Sequence, residues 1–184
     1  MALASLAELA PGRVGVAAGV GNPMFLRESG LEPEKPLDSM RDYVEALRAL
    51  ATGDPVHKDG RTFRLAGARV SFKPETSIPI HIAAMGPQML RLTGRIADGV
   101  VLSSGLSAES VRRALALVEE GARAEQRDST SFGRASYIFF LAGGDSDARE
   151  RVREKLAFLF RNATIKDNLD ASGLRIDHEA IMAA

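Results

Sequence analysis

A turn between a strand and a helix is the part of the sequence best suited to bind a ligand. The stretch Ala83-Ala84-Met85-Gly86-Pro87-Gln88 ends an apolar strand in small residues and starts a helix with proline at its first position. The backbone N–H groups of Gly86, Gln88 and Met89 then have no partner inside the helix, and the helix dipole favours an anion there. This pattern predicts a site for a phosphate or similar group. An ordinary strand-to-helix turn is the alternative.

Two glycines at the end of an earlier strand could let a flat ligand approach the backbone. Gly19 and Gly21 follow the small-residue run Arg13-Val14-Gly15-Val16-Ala17-Ala18 and precede Asn22. A dinucleotide-binding fingerprint needs a third glycine where the sequence has Met24, so that motif is excluded. What remains is backbone without side-chain bulk at a strand end. Glycines that only ease a turn are the alternative.

Other side chains capable of chemistry are few. The 3 histidines, at positions 57, 81 and 178, do not have the spacing of metal ligands, so we expect no metal site. His81 lies in a predicted strand between two isoleucines, which favours a packed or helix-facing side chain over one that reaches a ligand. Glu28 is near the Gly21 loop in sequence, although solvation is the more ordinary role for a surface carboxylate. None of these residues can be assigned as catalytic.

The composition excludes several classes of protein. The 184 residues include 24 Lys and Arg and 24 Asp and Glu, so the net charge is zero and a nucleic-acid-binding protein with a broad basic face is not expected. Cysteine is absent, which excludes disulfides, a thiolate nucleophile and zinc–thiolate sites. No apolar run is long enough to span a bilayer, and the region 1–10 lacks the basic start of a secretory signal. We therefore expect a cytoplasmic protein with no membrane partner.

The elements that position these residues alternate between strand and helix. Four short apolar strands are predicted near residues 13, 79, 100 and 137, the last over Ser136–Ala142. Helices are predicted over Ala2–Leu9, from Asp38 or Ser39 to Ala51, over Pro87–Ala97, from Ser107 to Gln126 and from Ser146 or Asp147 onward. Alternation of this kind, with buried small-residue strands, indicates a parallel α/β fold. Such folds bind ligands at the carboxyl ends of their strands.

Residues 23–77 interrupt this alternation. They contain a loop, the helix that ends at Ala51, and short extended pieces around Asp59-Gly60 and Ala66-Gly67. We interpret them as an insertion within a single domain of residues 1–184. A surface excursion and a lid over the substrate are the two roles that an insertion of this length allows.

Three stretches carry a family resemblance. Residues Arg13–Asn22, Pro79–Leu90 and Gly94–Leu102 resemble the bacterial luciferase-like superfamily, most specifically in the Ala-Ala-x-Gly-Pro turn followed by Ile-Ala-Asp-Gly. Within that superfamily they are most similar to the branch typified by the deazaflavin-dependent methylenetetrahydromethanopterin reductases. The resemblance covers most of residues 1–160, including the helix after Asp38 and the Gly60-Arg61-Thr62-Phe63 element.

The resemblance implies a (β/α)8 TIM barrel that binds FMN or a deazaflavin (coenzyme F-420) at the carboxyl ends of its strands. The chemistry it implies is two-electron redox on a small organic substrate, either monooxygenation with reduced flavin or hydride transfer with the deazaflavin. The residues that it places at the coenzyme are Gly19, Gly21, Asn22, Ala83, Ala84, Met85, Gly86 and Pro87.

The resemblance also implies that the barrel is partial. A TIM barrel has eight strands and about 250 residues, whereas this sequence provides about four strands, which resemble strands four to seven. We therefore expect a fragment of a larger oxidoreductase, whose exposed sheet edges favour association into homo-oligomers. Two other functions stay open. One is a non-catalytic half-barrel that serves as a remnant or interaction module, and the other is a phosphate-ester-binding protein of another reaction class.

Overall fold

Short strands and helices alternate along the chain, and the computed structural model describes residues 1–32, 34–140, 142 and 146–183. The strands are β1 Val16–Ala18, β2 Val56–Asp59, β3 Arg64–Ala68, β4 Ile80–Ala83, β5 Gly99–Leu102 and β6 Gly133–Ser136. The helices are α1 Ala2–Leu9, α2 Pro23–Glu28, α3 Pro36–Leu50, α4 Pro87–Ile96, α5 Ala108–Ala124, α6 Ser146–Phe160, α7 Ala163–Asp170 and α8 His178–Ala183.

Strands β1, β4, β5 and β6 form one parallel sheet, in the order β1-β4-β5-β6. The register pairs Val16 with Ile80, His81 with Gly99, and Gly99 with Gly133. Because all of these strands run in one direction, their carboxyl ends lie along one edge of the sheet, and β1 and β6 are its outer strands. The parallel α/β fold predicted from the sequence is confirmed.

One face of this sheet is covered by helices and forms the core. Ile82 and Val100 have no exposed surface and pack in one cluster with residues of α3, α4 and α5. Successive strand residues point to opposite faces. Their neighbours His81, Ala83 and Val101 therefore lie on the other face, which is more exposed. We call this second surface the open face.

Helices α4 and α5 pack closely because each has a glycine at the contact. A Cβ on Gly94 would collide with the carbonyl oxygen of Val118, and a Cβ on Gly121 would collide with the carbonyl oxygen of Arg91. Any side chain at either position would push the two helices apart. These glycines therefore set how closely α4, whose start follows the predicted ligand loop, lies against α5.

Residues 23–77 form α2, α3 and a two-stranded antiparallel sheet of β2 and β3. Asp42 of α3 is buried against this hairpin. Its Oδ2 accepts a hydrogen bond from the Thr62 N–H at 2.8 Å and another from the Thr62 hydroxyl at 3.1 Å. Lys58 of β2 pairs with Glu45 of α3, with 2.5 Å between Nζ and Oε2. The extended pieces predicted here are confirmed as a hairpin, and these contacts attach it to α3.

Helix α3 begins earlier than predicted. The prediction of an N-cap at Asp38 or Ser39 is wrong, because Lys35 occupies the N-cap position and Pro36 is the first helical residue. Proline suits that position, since its fixed φ is helical and the first N–H groups of a helix have no partner inside the helix. The proline, rather than the polar side chains after it, therefore marks the start.

The last strand of the sheet also lies earlier than predicted. β6 ends at Ser136, so the prediction of a strand over Ser136–Ala142 is wrong. The reason is the length of the neighbouring strand: Tyr137 N–H donates to the carbonyl of Leu102, the final residue of β5, at 3.0 Å. Beyond this bond β5 offers no further partner, and the apolar side chains at 138–140 are left exposed.

The carboxyl-terminal region is more helical than predicted. Helix α7 buries Ile165 and Leu169, and α8 follows it. The predicted strand residue Leu141 and residues 143–145 lie outside the described residues. Within the part of the chain that the structure describes, no helix has the length and apolar character needed to cross a membrane.

Candidate functional site

The two predicted ligand loops are neighbours at the carboxyl edge of the sheet. Strands β1 and β4, which precede them, are adjacent and parallel. A Cβ on Gly19 would lie 3.4 Å from the Cβ of Ala83, which is van der Waals contact. The fold therefore brings the loop of residues 19–22 beside the loop of residues 83–87, and small residues line the place where the two meet.

The first loop is shaped by one glycine and one asparagine. Gly21 has a φ of 85°, in the left-handed region that favours glycine. Asn22 caps α2, and its Oδ1 accepts a hydrogen bond from Met24 N–H at 3.0 Å. Sequence reasoning missed α2, although Asn22 followed by Pro23 is a typical helix start. The Nδ2 group of Asn22 has no hydrogen-bond partner among the described residues, so it can donate to a ligand.

The second loop is held from two sides. Ala84 is buried, and its N–H donates to the carbonyl of Val101 on β5 at 3.1 Å. On the other side, Nδ2 of Asn168 donates to the carbonyl oxygen of Met85 at 3.4 Å. Asn168 belongs to α7, which the sequence analysis did not connect to the site. The signal that could have located α7 is Asn162, which caps its first turn.

The start of α4 presents free backbone donors to open space. Gly86 is the N-cap, and the first helical hydrogen bond runs from Leu90 N–H to the Gly86 carbonyl at 3.0 Å. The N–H groups of Gln88 and Met89 precede this bond and have no partner among the described residues. A Cβ on Gly86 would meet no atom within 4 Å, so the space on that side of the turn is open.

His81 is packed, as predicted, but on the open face and not toward the helices that cover the core. A Cβ on Gly133 would lie 2.6 Å from its Cε1 and Nε2, and a Cβ on Gly99 would lie 2.9 Å from its Cδ2. The ring is thus packed against the backbones of β5 and β6, where two glycines leave room for it. It precedes Ala83 by two residues on β4, about 7 Å further from the carboxyl edge.

Two charged residues near the loops have no evident part in the site. Glu28 is exposed at the end of α2. Arg91 is used between helices, since its Nε lies 3.0 Å from Oε1 of Glu120 on α5. The cation nearest in sequence to the start of α4 is therefore already paired.

Asp98 of the Ile-Ala-Asp-Gly motif has a structural role at the opposite, amino-terminal edge of the sheet. Its Oδ2 accepts a hydrogen bond from Ile80 N–H at 2.8 Å, and its Oδ1 lies 2.7 Å from Nη2 of Arg48. Burial raises the pKa of Asp98, but the hydrogen bonds from Arg48 and Ile80 and the charge of Arg127 outweigh this effect, so the pKa is lowered overall. The ionised carboxylate joins α3 to the start of β4.

Two clefts of about 370 Å³ lie at this same amino-terminal edge. Both are lined by Ser77 and Ile78, and one of them extends to His81 and Ser131. Neither is lined by residues 19–22 or 83–87. The candidate site is therefore an open surface at the carboxyl edge and not one of these clefts.

The chemistry available at this surface is binding and not proton transfer by side chains. Gly19 and Ala83 allow a flat group to approach the backbone, and the free amides of Gln88 and Met89 suit an anion. The sequences of residues 19–22 and 83–87 contain no titratable side chain. Among the described residues, no group of three or more His, Asp or Glu side chains could hold a metal ion. These features fit a flat, phosphate-bearing coenzyme that brings its own chemistry.

Comparison with known proteins gives consistent matches. A family model described as luciferase-like monooxygenase matches residues 1–182. The 5,10-methylenetetrahydromethanopterin reductase of Archaeoglobus fulgidus is 33% identical over 159 residues, which cover 86% of this chain and 47% of the relative. The F-420-dependent glucose-6-phosphate dehydrogenase of Nocardia farcinica is 37% identical over 139 residues, which cover 72% of this chain and 41% of the relative.

A solved structure agrees with these sequence relatives. The coenzyme F-420-dependent tetrahydromethanopterin reductase from Methanopyrus kandleri matches with a TM-score of 0.74 and 26% identity, over 86% of this chain and 50% of that one. The chain thus spans about half the length of the proteins that it matches.

Proposed function

The chain belongs to the luciferase-like monooxygenase family, and from that premise we propose that it forms the coenzyme-binding part of a flavin- or deazaflavin-dependent oxidoreductase. The family resemblance expected from the sequence, including the methylenetetrahydromethanopterin reductase-like branch, is confirmed by these matches. The proposed coenzyme is FMN or coenzyme F-420, and the names of several relatives specify the latter.

The observation that carries the proposal is the pairing of two small-residue loops at one edge of the sheet. Gly19, Gly21 and Asn22 would hold one side of the coenzyme, and the loop Ala83–Pro87 would hold the other. The free amides at the start of α4 would accept its phosphate-bearing side chain. When bound, such a coenzyme supplies the two-electron redox chemistry.

The chain's own residues would then orient the coenzyme. Ala84 and Met85 are fixed by hydrogen bonds to β5 and α7, so the loop offers a surface whose shape is set before binding. Pre-organisation of this kind lowers the entropic cost of binding. We propose a small organic molecule as substrate and assign no catalytic residue within residues 1–184.

We further propose that residues 1–184 form one partial barrel, with residues 23–77 as an insertion, and that it acts in the cytoplasm. Four parallel strands are half of the eight that close a TIM barrel. The share of the relatives that the chain covers is also about one half. Turnover by the whole protein would then depend on further strands that complete the barrel around the coenzyme.

Ligand titration tests the proposal. The chain would be titrated with FMN, with coenzyme F-420 and with riboflavin, which lacks the phosphate, and fluorescence would be followed in each case. We expect saturable binding of FMN or coenzyme F-420, weaker binding of riboflavin, and competition by inorganic phosphate. The control variant is Arg112→Ala on the exposed face of α5, which should bind as the original chain does.

Two other results would replace this proposal. Binding of neither coenzyme by a folded chain would favour a non-catalytic half-barrel that serves as an interaction module. Binding of simple sugar phosphates, with no affinity for either coenzyme, would favour a phosphate-ester-binding protein of another reaction class.

A further inference from the structure

We propose that Asn168 is a positioning residue for the candidate site: its side-chain amide holds the Met85 carbonyl and so fixes the start of α4. This inference rests on the proposed function of the β4–α4 loop as a coenzyme loop. Its own evidence is a hydrogen bond between residues 83 positions apart, in which Nδ2 of Asn168 donates to the Met85 oxygen at 3.4 Å.

Helix α7 is itself held in place, which makes Asn168 an effective anchor. The hydroxyl of Ser110, in the first turn of α5, donates to the main-chain carbonyl of Asn168 at 2.9 Å. Ser110 is 4% exposed, and its N–H donates to Oγ of Ser107, the N-cap of α5, at 3.0 Å. Ile165 and Leu169 are buried on the same helix. The loop is thus connected through α7 to the start of α5.

The loop needs such a restraint because of the residue that follows Met85. Gly86 has no side chain, and a Cβ at its position would meet no atom within 4 Å. No side chain at position 86 therefore restricts rotation of the peptide between Met85 and Gly86, since glycine allows a wide range of backbone angles. If that peptide turned, its carbonyl oxygen would come to the helix start, where it would repel an anion. A donor on the Met85 oxygen prevents this rotation.

An amide is the appropriate group for this role. It donates to a carbonyl at any pH and adds no charge beside the anion site. A carboxylate at the same position cannot donate, and its negative charge would also weaken anion binding. Once protonated, however, a carboxylic acid regains an O–H donor. Asn168→Asp therefore tests the hydrogen bond itself, with almost no change of shape.

The first measurement uses the chain without any coenzyme. Amide hydrogen exchange would be followed at Ala84 and Leu90, the hydrogen-bonded amides on either side of the turn, with rates corrected for the intrinsic effect of pH. We expect exchange about three- to tenfold faster in Asn168→Asp and in Asn168→Ala than in the original chain at pH 7. In Asn168→Asp only, protection should return as the pH falls through about 4, where a carboxyl gains its proton. If the substitution lowered protection only by disturbing the packing of α7, protection would not return at low pH.

Asp167→Asn is the matched control, because Asp167 is the exposed neighbour of Asn168 on the same helix. It should leave exchange at the loop unchanged. Ser110→Ala, which removes the bond to the Asn168 main chain, should give an intermediate increase and is a second variant if Asn168→Ala unfolds α7. Unchanged exchange at Ala84 and Leu90 in Asn168→Asp would overturn the proposal.

The second measurement is titration of the same variants with FMN and coenzyme F-420. We expect about three- to tenfold weaker binding in Asn168→Asp at pH 7. Faster exchange together with unchanged affinity would show that Asn168 does not position the site. Faster exchange in a chain that binds neither coenzyme would leave the loop restraint supported and would count against the proposed function. Saturable coenzyme binding with unchanged exchange would count against the loop restraint and would support the proposed function.

Discussion

At the scale of single residues, Gly86 offers the most direct test of the proposed coenzyme loop. We predict that Gly86→Val weakens binding of FMN or coenzyme F-420 by about 1–3 kcal/mol, because hydrogen bonds to the free amides are lost. The φ of Gly86 is −76° and a Cβ there meets no atom within 4 Å, so the chain has room for the new side chain. Fluorescence titration would measure the affinity.

Gly86→Ser is the control for the helix start, since serine is a good N-cap and valine is a poor one. The melting temperatures of both variants would separate a change in α4 stability from a change in ligand approach. If Gly86→Val binds the coenzyme as well as the original chain does, the loop 83–87 is not part of the site.

A second residue-scale prediction concerns His81 and the glycine beneath its ring. Gly133→Ala should destabilise the chain, because the Cβ would lie 2.6 Å from the imidazole, and His81→Ala should remove that collision. We expect the loss of unfolding free energy in the double variant to be smaller than the sum of the two single losses, by about 0.5–3 kcal/mol. Urea unfolding of the four proteins would give the coupling free energy.

Gly99→Ala is the contrasting case in the same cluster. Its Cβ would lie 2.5 Å from the main-chain oxygen of Gly133 as well as 2.9 Å from the ring of His81. Removing the ring cannot relieve a collision with backbone, so His81→Ala should not rescue it. Equal coupling of His81 with Gly99 and with Gly133 would contradict this description. A large loss of coenzyme affinity in His81→Ala at unchanged stability would show that the ring has a binding role and not only a packing role.

At the scale of elements, Asp42 determines whether the β2–β3 hairpin stays on α3. Its carboxylate accepts two hydrogen bonds from Thr62 and is buried. We predict that Asp42→Ala lowers the free energy of unfolding by about 1–3 kcal/mol at pH 7. Hydrogen exchange should also become faster in the hairpin. Asp59→Ala is the control, because its ion pair with Arg64 is exposed and should contribute little.

The contribution of Asp42 should depend on pH. Burial raises the pKa of Asp42, but the hydrogen bonds from Thr62 and Arg61 and the charge of Lys58 lower it by more, so the folded-state pKa is below the ordinary value for an aspartate. A lowered pKa means that the stabilisation is fully present above the unfolded-state pKa and is lost as the pH falls through the folded-state value. The difference between the original chain and Asp42→Ala should therefore shrink below about pH 4. A constant difference from pH 7 to pH 2 would contradict the prediction.

At the scale of the whole molecule, the sheet is open on one face and at both edges. β1 and β6 are the outer strands, and Ile138 and Phe140, which follow β6, are 80% and 84% exposed. Unpaired edges beside exposed apolar side chains favour association. We predict that the isolated chain forms oligomers or aggregates, or is partly molten, and binds coenzyme weakly. Size-exclusion chromatography with light scattering and near-ultraviolet circular dichroism would measure this.

Phe140→Lys should raise the fraction of monomer if the end of β6 takes part in association. Leu9→Lys, at another exposed apolar residue, adds the same charge at the end of α1, outside the sheet, and is the control. A single monomeric species that unfolds cooperatively and binds a flavin tightly would contradict the partial barrel.

The parts of the fold that depend on near neighbours could be predicted from the amino-acid sequence. Three of the four parallel strands, the turn at Gly86 and Pro87, and the start of α5 at Ser107 are present as predicted, with the Ser107 hydroxyl accepting from Ser110 N–H at 3.0 Å. Each depends on residues close together in the chain: an apolar run, a proline at the first helical position, or a cap within its own turn. The family resemblance could also be recognised from the sequence, because its most specific motifs are short and continuous.

Which face of the sheet a residue lies on, and which residue it contacts, could not be predicted without the tertiary structure. Residues 138–140 are apolar and looked like a strand, but β5 ends at Leu102 and leaves them unpaired. His81 faces away from the helices, because its neighbour Ile82 takes the core face, and its ring lies over two glycines on β5 and β6. The contact of Asn168 with Met85 spans 83 positions and has no local signal. The hydropathy of a residue indicates whether its side chain avoids water. The strands and helices that pack around it determine which residues cover it and which it contacts.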